Sequence, residues 1–269
     1  MISEEVLERL VDTVRSTPRY QGISIDLVHQ IGAQELGKGR SFKEAVKATR
    51  NKLHQVGGAY QERAIRYPAW QAELERLPTN PQDEQVRNYC RRMMAEHAST
   101  RERLAVLDQF YSSILASIAP VQSVADLACG FNPLALPWMP LAAQAHYYAC
   151  DIYVDLADFF NAFLAHLGRP GKVEVCDLTQ RIPFQPVQLA LLLKTLPCLE
   201  QVNKDIGLGL LERIQADYLL VSFPAYSLSG RSKGMVTNYA AHFMDLIEAR
   251  RWSVQRFDFA TELAFLVKK

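Results

Sequence analysis

The sequence has none of the features that would place it in a membrane or an export pathway. No apolar run reaches the ~18 residues needed to cross a bilayer. The start, Met1-Ile2-Ser3-Glu4-Glu5, is acidic and does not lead into the apolar stretch of a secretory leader. Net charge is nearly absent: 30 Lys and Arg against 29 Asp and Glu leave +1. That excludes a chain basic throughout and leaves room for a local basic face. Cysteine is sparse. Cys90, Cys129, Cys150, Cys176 and Cys198 are odd in number and widely spaced, with no Cys-x-x-Cys pair. Three of them end apolar strand-like runs, so reduced buried thiols of a cytosolic protein fit better than a zinc site or a disulfide framework. No internal repeat and no low-complexity segment occurs. What is present is the composition of a packed globular chain, 49% apolar and 22% charged, which excludes disordered, collagen-like and coiled-coil classes. A length of 269 residues corresponds to about 1.8 domains, one of catalytic size and a smaller appendage.

The two halves read differently. Residues 1–92 show helical patterns and no convincing strand. Ser41-x-x-Glu44 is a capping box, followed by a buried stripe of Phe42, Val46, Thr49 and Leu53. Lys43, Lys47, Arg50 and His54 repeat that spacing one residue later, about 100° round the helix. Pro78-Thr79-Asn80-Pro81 reads as a loop. Residues 93–269 alternate strand and helix. Strands are predicted over 123–128, 145–151, 172–176, 188–194, 216–223, 252–259 and 263–267, with one long helix over 100–118 opened by a Ser99-x-x-Glu102 capping box. Alternating β and α means a mostly parallel sheet covered on both faces. The last two strands are joined by too few residues for a crossover and must pair antiparallel. The expected fold is α/β: a Rossmann-like class I methyltransferase domain with an N-terminal α-helical subdomain.

The first strand runs into Asp126-Leu-Ala-Cys-Gly130-Phe-Asn132-Pro133. A dinucleotide fingerprint would need three glycines to admit a pyrophosphate against a helix N-terminus. One glycine followed by Asn132-Pro133 does not form that cradle. An adenosine without phosphates suits the turn, and S-adenosylmethionine is the obvious such cofactor. Asp151 ends the second strand 21 residues after Gly130, where an acid can hold a ribose diol; Asp177 ends the third, where it could accept from an adenine amine.

Four blocks then occur in order: His97-Ala-Ser-Thr-Arg101-Glu102-Arg103-Leu104; Asp126-Leu-Ala-Cys-Gly130-Phe-Asn-Pro-Leu-Ala; Lys194-Thr-Leu-Pro197; and Val221-Ser-Phe-Pro-Ala-Tyr-Ser-Leu-Ser-Gly-Arg231-Ser-Lys233-Gly-Met235. This set resembles the aminoglycoside-resistance 16S rRNA (guanine(1405)-N(7))-methyltransferases of aminoglycoside-producing actinomycetes and resistant pathogens. The resemblance covers most of the chain, from Arg50-Asn51-Lys52-Leu53-His54 and Gly58-Ala59-Tyr60 to Thr261-Glu-Leu. It implies that Tyr60 and the His97-Ala98-Ser99 turn contact the methionine end of S-adenosylmethionine, whose product is S-adenosylhomocysteine. Arg103 would pair with the methionine carboxylate. Ala128 and Gly130 would form the cofactor turn, Asp151 would hold the ribose, and Asp177-Leu178 would form the adenine pocket. Lys194 would lie near the reactive end, and Asn203 falls where the family more often has Gln. Arg231 and Lys233 would face rRNA. The chain departs from the family at Tyr226, where a basic residue is usual, at Ser229 (Gly) and at Tyr153 (His).

The implied chemistry is simple. Guanine N7 has a lone pair and no proton, so in-line placement is enough and no general base is needed. No Asn/Asp-Pro-Pro-Tyr follows the fourth strand, where enzymes of exocyclic amines hold their substrate; Leu193-Lys194-Thr195-Leu196-Pro197 stands there. The guanine is expected to be unstacked into the site. Phe223 would stack on it or simply pack in the core, and Ser222 or Lys194 would meet its edge. Between Leu36 and Arg66, eight basic residues oppose Glu44 and Glu62, a local +6. This is either a solvated helix face or, through Lys43, Lys47 and Arg50, a phosphate-docking surface for the 30S subunit. The expected partner is 16S rRNA, with no DNA and no membrane, and the expected state is a cytoplasmic monomer. Three other readings are open: a methyltransferase of a neighbouring base such as an adenine N1, a non-catalytic RNA-binding or ribosome-assembly module, and a small-molecule methyltransferase, which would not need the basic helices.

Overall fold

Seven strands form one sheet in the order β3-β2-β1-β4-β5-β7-β6. They span Val121–Leu127 (β1), Leu141–Asp151 (β2), Gly171–Val175 (β3), Val187–Leu193 (β4), Ala216–Pro224 (β5), Ser253–Asp258 (β6) and Glu262–Lys268 (β7). A computed structural model describes residues 3–58, 65–226 and 234–269. The predicted strands are all present, with shifted ends. β1 to β5 pair in parallel, and β7 runs against both β5 and β6. Parallel strands buried on both faces need continuous apolar runs, and Leu189–Leu193 of β4 is such a run. The chain reverses direction in the sheet between β1 and β4. Their carboxyl ends therefore splay apart and open a crevice.

Helices precede the sheet: α1 (Glu4–Arg15), α2 (Pro18–Gln21), α3 (Ile25–Gly37), α4 (Phe42–Leu53), α5 (Tyr67–Leu74), α6 (Glu84–Met94), α7 (Ala98–Arg103) and α8 (Leu107–Ile114). The Ser41 capping box is formed in both directions. Behind it Val46, Thr49 and Leu53 are buried, as the stripe required, while Phe42 is only half-buried, with the Arg9 guanidinium over its ring. Pro78–Pro81 lies between α5 and α6. The long helix predicted over 100–118 is instead two. It breaks just after Arg103, whose guanidinium is drawn into the core beneath the sheet edge, and Leu107, Tyr111 and Ile114 of the second helix keep the buried face. The Ser99–Glu102 capping box does not form: His97 is the N-cap, and Glu102 is taken by Lys194.

The sheet is flanked by α9 (Val154–His166), α10 (Leu196–Val202), α11 (Ile206–Arg213) and α12 (Met235–Ile247). One apolar cluster joins the N-terminal helices to one face of the sheet, running through Leu53, Tyr89, Phe131 and Phe160. A second fills the other face with Leu127, Leu192, Phe223, Phe243 and Phe265. All five cysteines are buried.

Candidate active site

The crevice is built where the sequence placed its turn. After β1 the backbone takes left-handed conformations at Ala128 (φ 52°) and Gly130 (φ 49°). A side chain at Gly130 would meet the His97 ring at 3.0 Å. The Gly130 N–H donates to Asp151 Oδ2 at 2.8 Å and the Ile152 N–H to Oδ1 at 2.7 Å, so the β2 acid ties the turn of β1 to its own strand end. Burial raises the Asp151 pKa, and these backbone hydrogen bonds oppose the rise only in part. Lys194, at the end of β4, is also left-handed (φ 60°). Such backbone costs about 1 kcal/mol or more in a residue with a side chain and gathers at functional sites.

The sheet order sorts the charges. From β3 to β4 the edge presents Asp177, Asp151, the Ala128–Gly130 turn and then Lys194, with Arg103 beside the last; all line one cavity. One end is acidic, the other cationic, and Leu156, Leu178 and Leu193 make apolar wall between. Beneath the cationic end lies a buried polar network. Glu262, the first residue of β7, accepts from Arg103 Nε at 3.0 Å and Nη2 at 2.7 Å, and from the Ser222 hydroxyl. Lys194 Nζ lies 2.6 Å from Glu102, 3.6 Å from Glu262 and 3.3 Å from the Ser99 carbonyl. Burial pushes Glu262 up, but the charges of Arg103 and Lys194 and the hydrogen bonds prevail and hold it below the usual carboxylate range. Arg103 and Tyr111 both donate to Asn132 Oδ1, whose amide donates to Asp126. Asp126 also accepts from Tyr147, and burial lifts its pKa to about 7. His97 is half-buried at the cavity wall; desolvation and the Lys194 charge lower its pKa to about 3, so the ring is neutral.

A family model, "Ribosomal RNA methyltransferase (FmrO)", matches residues 15–266. The chain belongs to this family. A "16S rRNA (guanine(1405)-N(7))-methyltransferase" of Micromonospora rosea is 35% identical over 268 residues, covering 99% of this chain and 98% of that one. One of Frankia casuarinae is 36% identical over 269 residues, covering 99% and 95%. The crystal structure of 16S rRNA methyltransferase RmtF in complex with S-adenosyl-L-homocysteine superposes with a TM-score of 0.85 at 31% identity, covering all of both chains.

Of the residues that the sequence resemblance singled out, the structure brings His97, Ser99, Arg103, Ala128, Gly130, Asp151, Asp177, Leu178 and Lys194 to the one cavity. Others go elsewhere. Ala98 is buried beside the cavity without lining it. Asn203 is exposed, accepts from the Asp205 N–H, and borders a separate shallow depression with Thr179 and Arg213. Ser222 is fully buried and spent on Glu262, so it cannot meet a base edge. Phe223 is a core residue: its ring lies 5.1 Å from Tyr239, 5.7 Å from Phe243 and 6.2 Å from Phe265, with no exposed surface. Alternation along β5 turns it to the α12 side of the sheet. Tyr60, Arg231 and Lys233 lie outside the described residues.

On α4, Lys43 and Lys47 are exposed. Arg50 is not simply a surface charge, because its Nη2 donates to the Thr13 carbonyl at 2.6 Å. Glu35, one residue before the basic segment, is buried against Lys38, Arg40 and Lys52. Counting it lowers that segment from +6 to +5. Sequence reasoning missed Glu262 as a site residue, although a charge opening the apolar run Leu263–Val267 was its signal. It also missed Leu27, Ile31 and Gly57, which line the cavity from the N-terminal helices. Nothing in their local pattern separates them from ordinary core.

Proposed function

We propose that this chain transfers the methyl group of S-adenosylmethionine to N7 of guanine 1405 in 16S rRNA of the 30S subunit and so confers aminoglycoside resistance. The order of charge along the sheet edge carries this reading. The two acids fit the hydroxyls and amine of an adenosine, and the guanidinium at the far end fits an amino-acid carboxylate. Asp151 and Asp177-Leu178 would hold the nucleoside. Arg103 has two N–H groups not engaged by Glu262 or Asn132, and these would take the carboxylate. When bound, the cofactor supplies an electrophilic methyl group on a sulfonium. The nucleophile is a ring nitrogen with a lone pair and no proton, so no side chain has to remove one, and the buried network serves to orient. Glu262 keeps Arg103 and Lys194 in place, and the low pKa of His97 keeps its ring from adding a charge beside a sulfonium. Tyr226, two residues beyond β5 and 44% exposed, would be an aromatic at this edge placed to meet RNA. The exposed lysines of α4 would dock on phosphates, recognising structured RNA by shape. Residues 1–92 would form the docking part and 93–269 the catalytic part of a cytoplasmic monomer.

Incubation of 30S subunits with labelled cofactor, followed by borohydride reduction, aniline cleavage at N7-methylguanine and primer extension, tests the reading. A stop at guanine 1405 supports it. A mark on an adenine N1 nearby would make the chain a methyltransferase of the neighbouring base, and a silent calorimetric titration with S-adenosylmethionine would remove the enzyme reading altogether.

A further inference from the structure

The helix that carries the exposed lysines and the wall of the cofactor cavity are one piece of chain. α4 does not stop at Leu53. The His54 N–H bonds back to the Arg50 and Asn51 carbonyls, and the helix passes into a π-helical turn, His54–Gly58. Wider turns of this kind are rare and often found at functional sites. Gly57 of that turn lines the cavity, and the turn packs against α10 on the cavity's other flank. There is no spare room: a Cβ at Gly57 would stand 2.7 Å from Tyr153 Oη and 3.2 Å from Ile152 Cδ1.

Tyr153 and Ile152 directly follow Asp151, and they are held by the same N-terminal helices. The Ser24 N–H donates to the Ile152 carbonyl at 2.8 Å and the Val154 N–H to the Gly22 carbonyl at 2.9 Å, about an Ile23–Tyr153 bridge. From that bridge α3 starts, and its Leu27 and Ile31 close another side of the cavity. α3 in turn packs on α4. Near its C-terminal end α4 is fastened to α1 and α2, through Arg50 to the Thr13 carbonyl and through Tyr20 Oη to the Arg50 carbonyl at 3.2 Å.

From this we infer that rRNA docking and cofactor binding are coupled, the π-helical turn and Tyr153 passing any shift of α4 to the strand end that holds Asp151. The inference rests on the proposed function and adds regulation to that site. Docking that immobilises α4 fixes Gly57, Leu27 and Ile31 as walls, so the nucleoside meets a cavity already ordered. Linkage makes the effect mutual: the factor by which the subunit tightens the nucleoside equals the factor by which the nucleoside tightens the subunit.

S-adenosylhomocysteine is titrated into the full chain alone and into its preformed complex with 30S subunits, and 30S affinity is measured with and without saturating S-adenosylhomocysteine. The expected result is a change of about fivefold or more, equal in the two directions. Tyr153→Phe removes only the hydroxyl that faces Gly57 and is expected to bring the factor toward one, and Gly57→Ala to alter it in a chain whose folding is checked by circular dichroism. If Gly57→Ala does not fold, Tyr153→Phe alone decides. Both ligands binding with a factor of one overturns the coupling and leaves the proposed function standing. Failure of the free chain to bind the nucleoside, or of either state to bind 30S, overturns both.

Discussion

Arg103 and Glu262 are 159 residues apart in sequence and meet through two hydrogen bonds of 3.0 and 2.7 Å, each side chain at most 1% exposed. One lies at the end of α7, the other at the start of the last strand. Their pairing closes the sheet's antiparallel edge onto the cationic end of the cavity. Two desolvated charges in such a pair contribute little net stability, but the loss of one partner is costly.

Glu262→Gln is therefore expected to destabilise the fold by about 3–5 kcal/mol in urea unfolding, because a buried guanidinium loses its counter-charge. The double change Arg103→Met with Glu262→Met should cost less than the two single changes added together. Additive costs would show that the two groups do not act as a unit.

Asp126 makes stability depend on pH. Its pKa is about 7 in the folded chain against 3.8 for an ordinary aspartate. Between those values the folded state keeps a proton that the unfolded chain releases. The stabilising contribution of this group is thus complete below pH 3.8, declines as pH rises, and is gone above about 7, with a slope of at most about 1.4 kcal/mol per pH unit. Asp126→Asn keeps an acceptor for Tyr147 and lacks this decline. Urea midpoints at pH 5, 6 and 7 should show the variant gaining on the parent as pH rises. A constant difference would mean an ordinary carboxyl.

Phe223 and Tyr226 should separate core from surface. Phe223→Ala opens a cavity among three aromatic rings and is expected to cost about 3–5 kcal/mol. Tyr226→Ala should leave the unfolding midpoint nearly unchanged and slow methylation of 30S subunits, with Tyr226→Phe restoring the rate. Full methylation by the alanine variant would show that this ring does not touch RNA.

The face of α4 can be divided in the same way. Lys43→Glu with Lys47→Glu should weaken 30S binding and flatten its salt dependence, while the affinity of the free chain for S-adenosylhomocysteine stays unchanged. Arg50→Ala should instead lower stability by about 1 kcal/mol, the worth of its hydrogen bond to Thr13. Loss of cofactor binding in the lysine variant would make this face structural.

Much was legible from local pattern, because period and turn chemistry are local properties. The capping box at Ser41, the stripe behind it, seven strands, the antiparallel end of the sheet, and the turn at Gly130 with its partner Asp151 all follow from residues a few positions apart or from the order of strands. Other features depended on which distant segments come to share a buried space. Glu262 closes on Arg103 only once β7 lies beside β5. Phe223 was turned into the core by the alternation of its strand, and Glu102 left its cap position for Lys194. Leu27, Ile31 and Gly57 became cavity wall because α3 and the end of α4 fold over the strand ends. A chain specifies its elements through neighbours in sequence, but a buried charge is stable only where another part of the molecule brings its partner, and that is settled by packing.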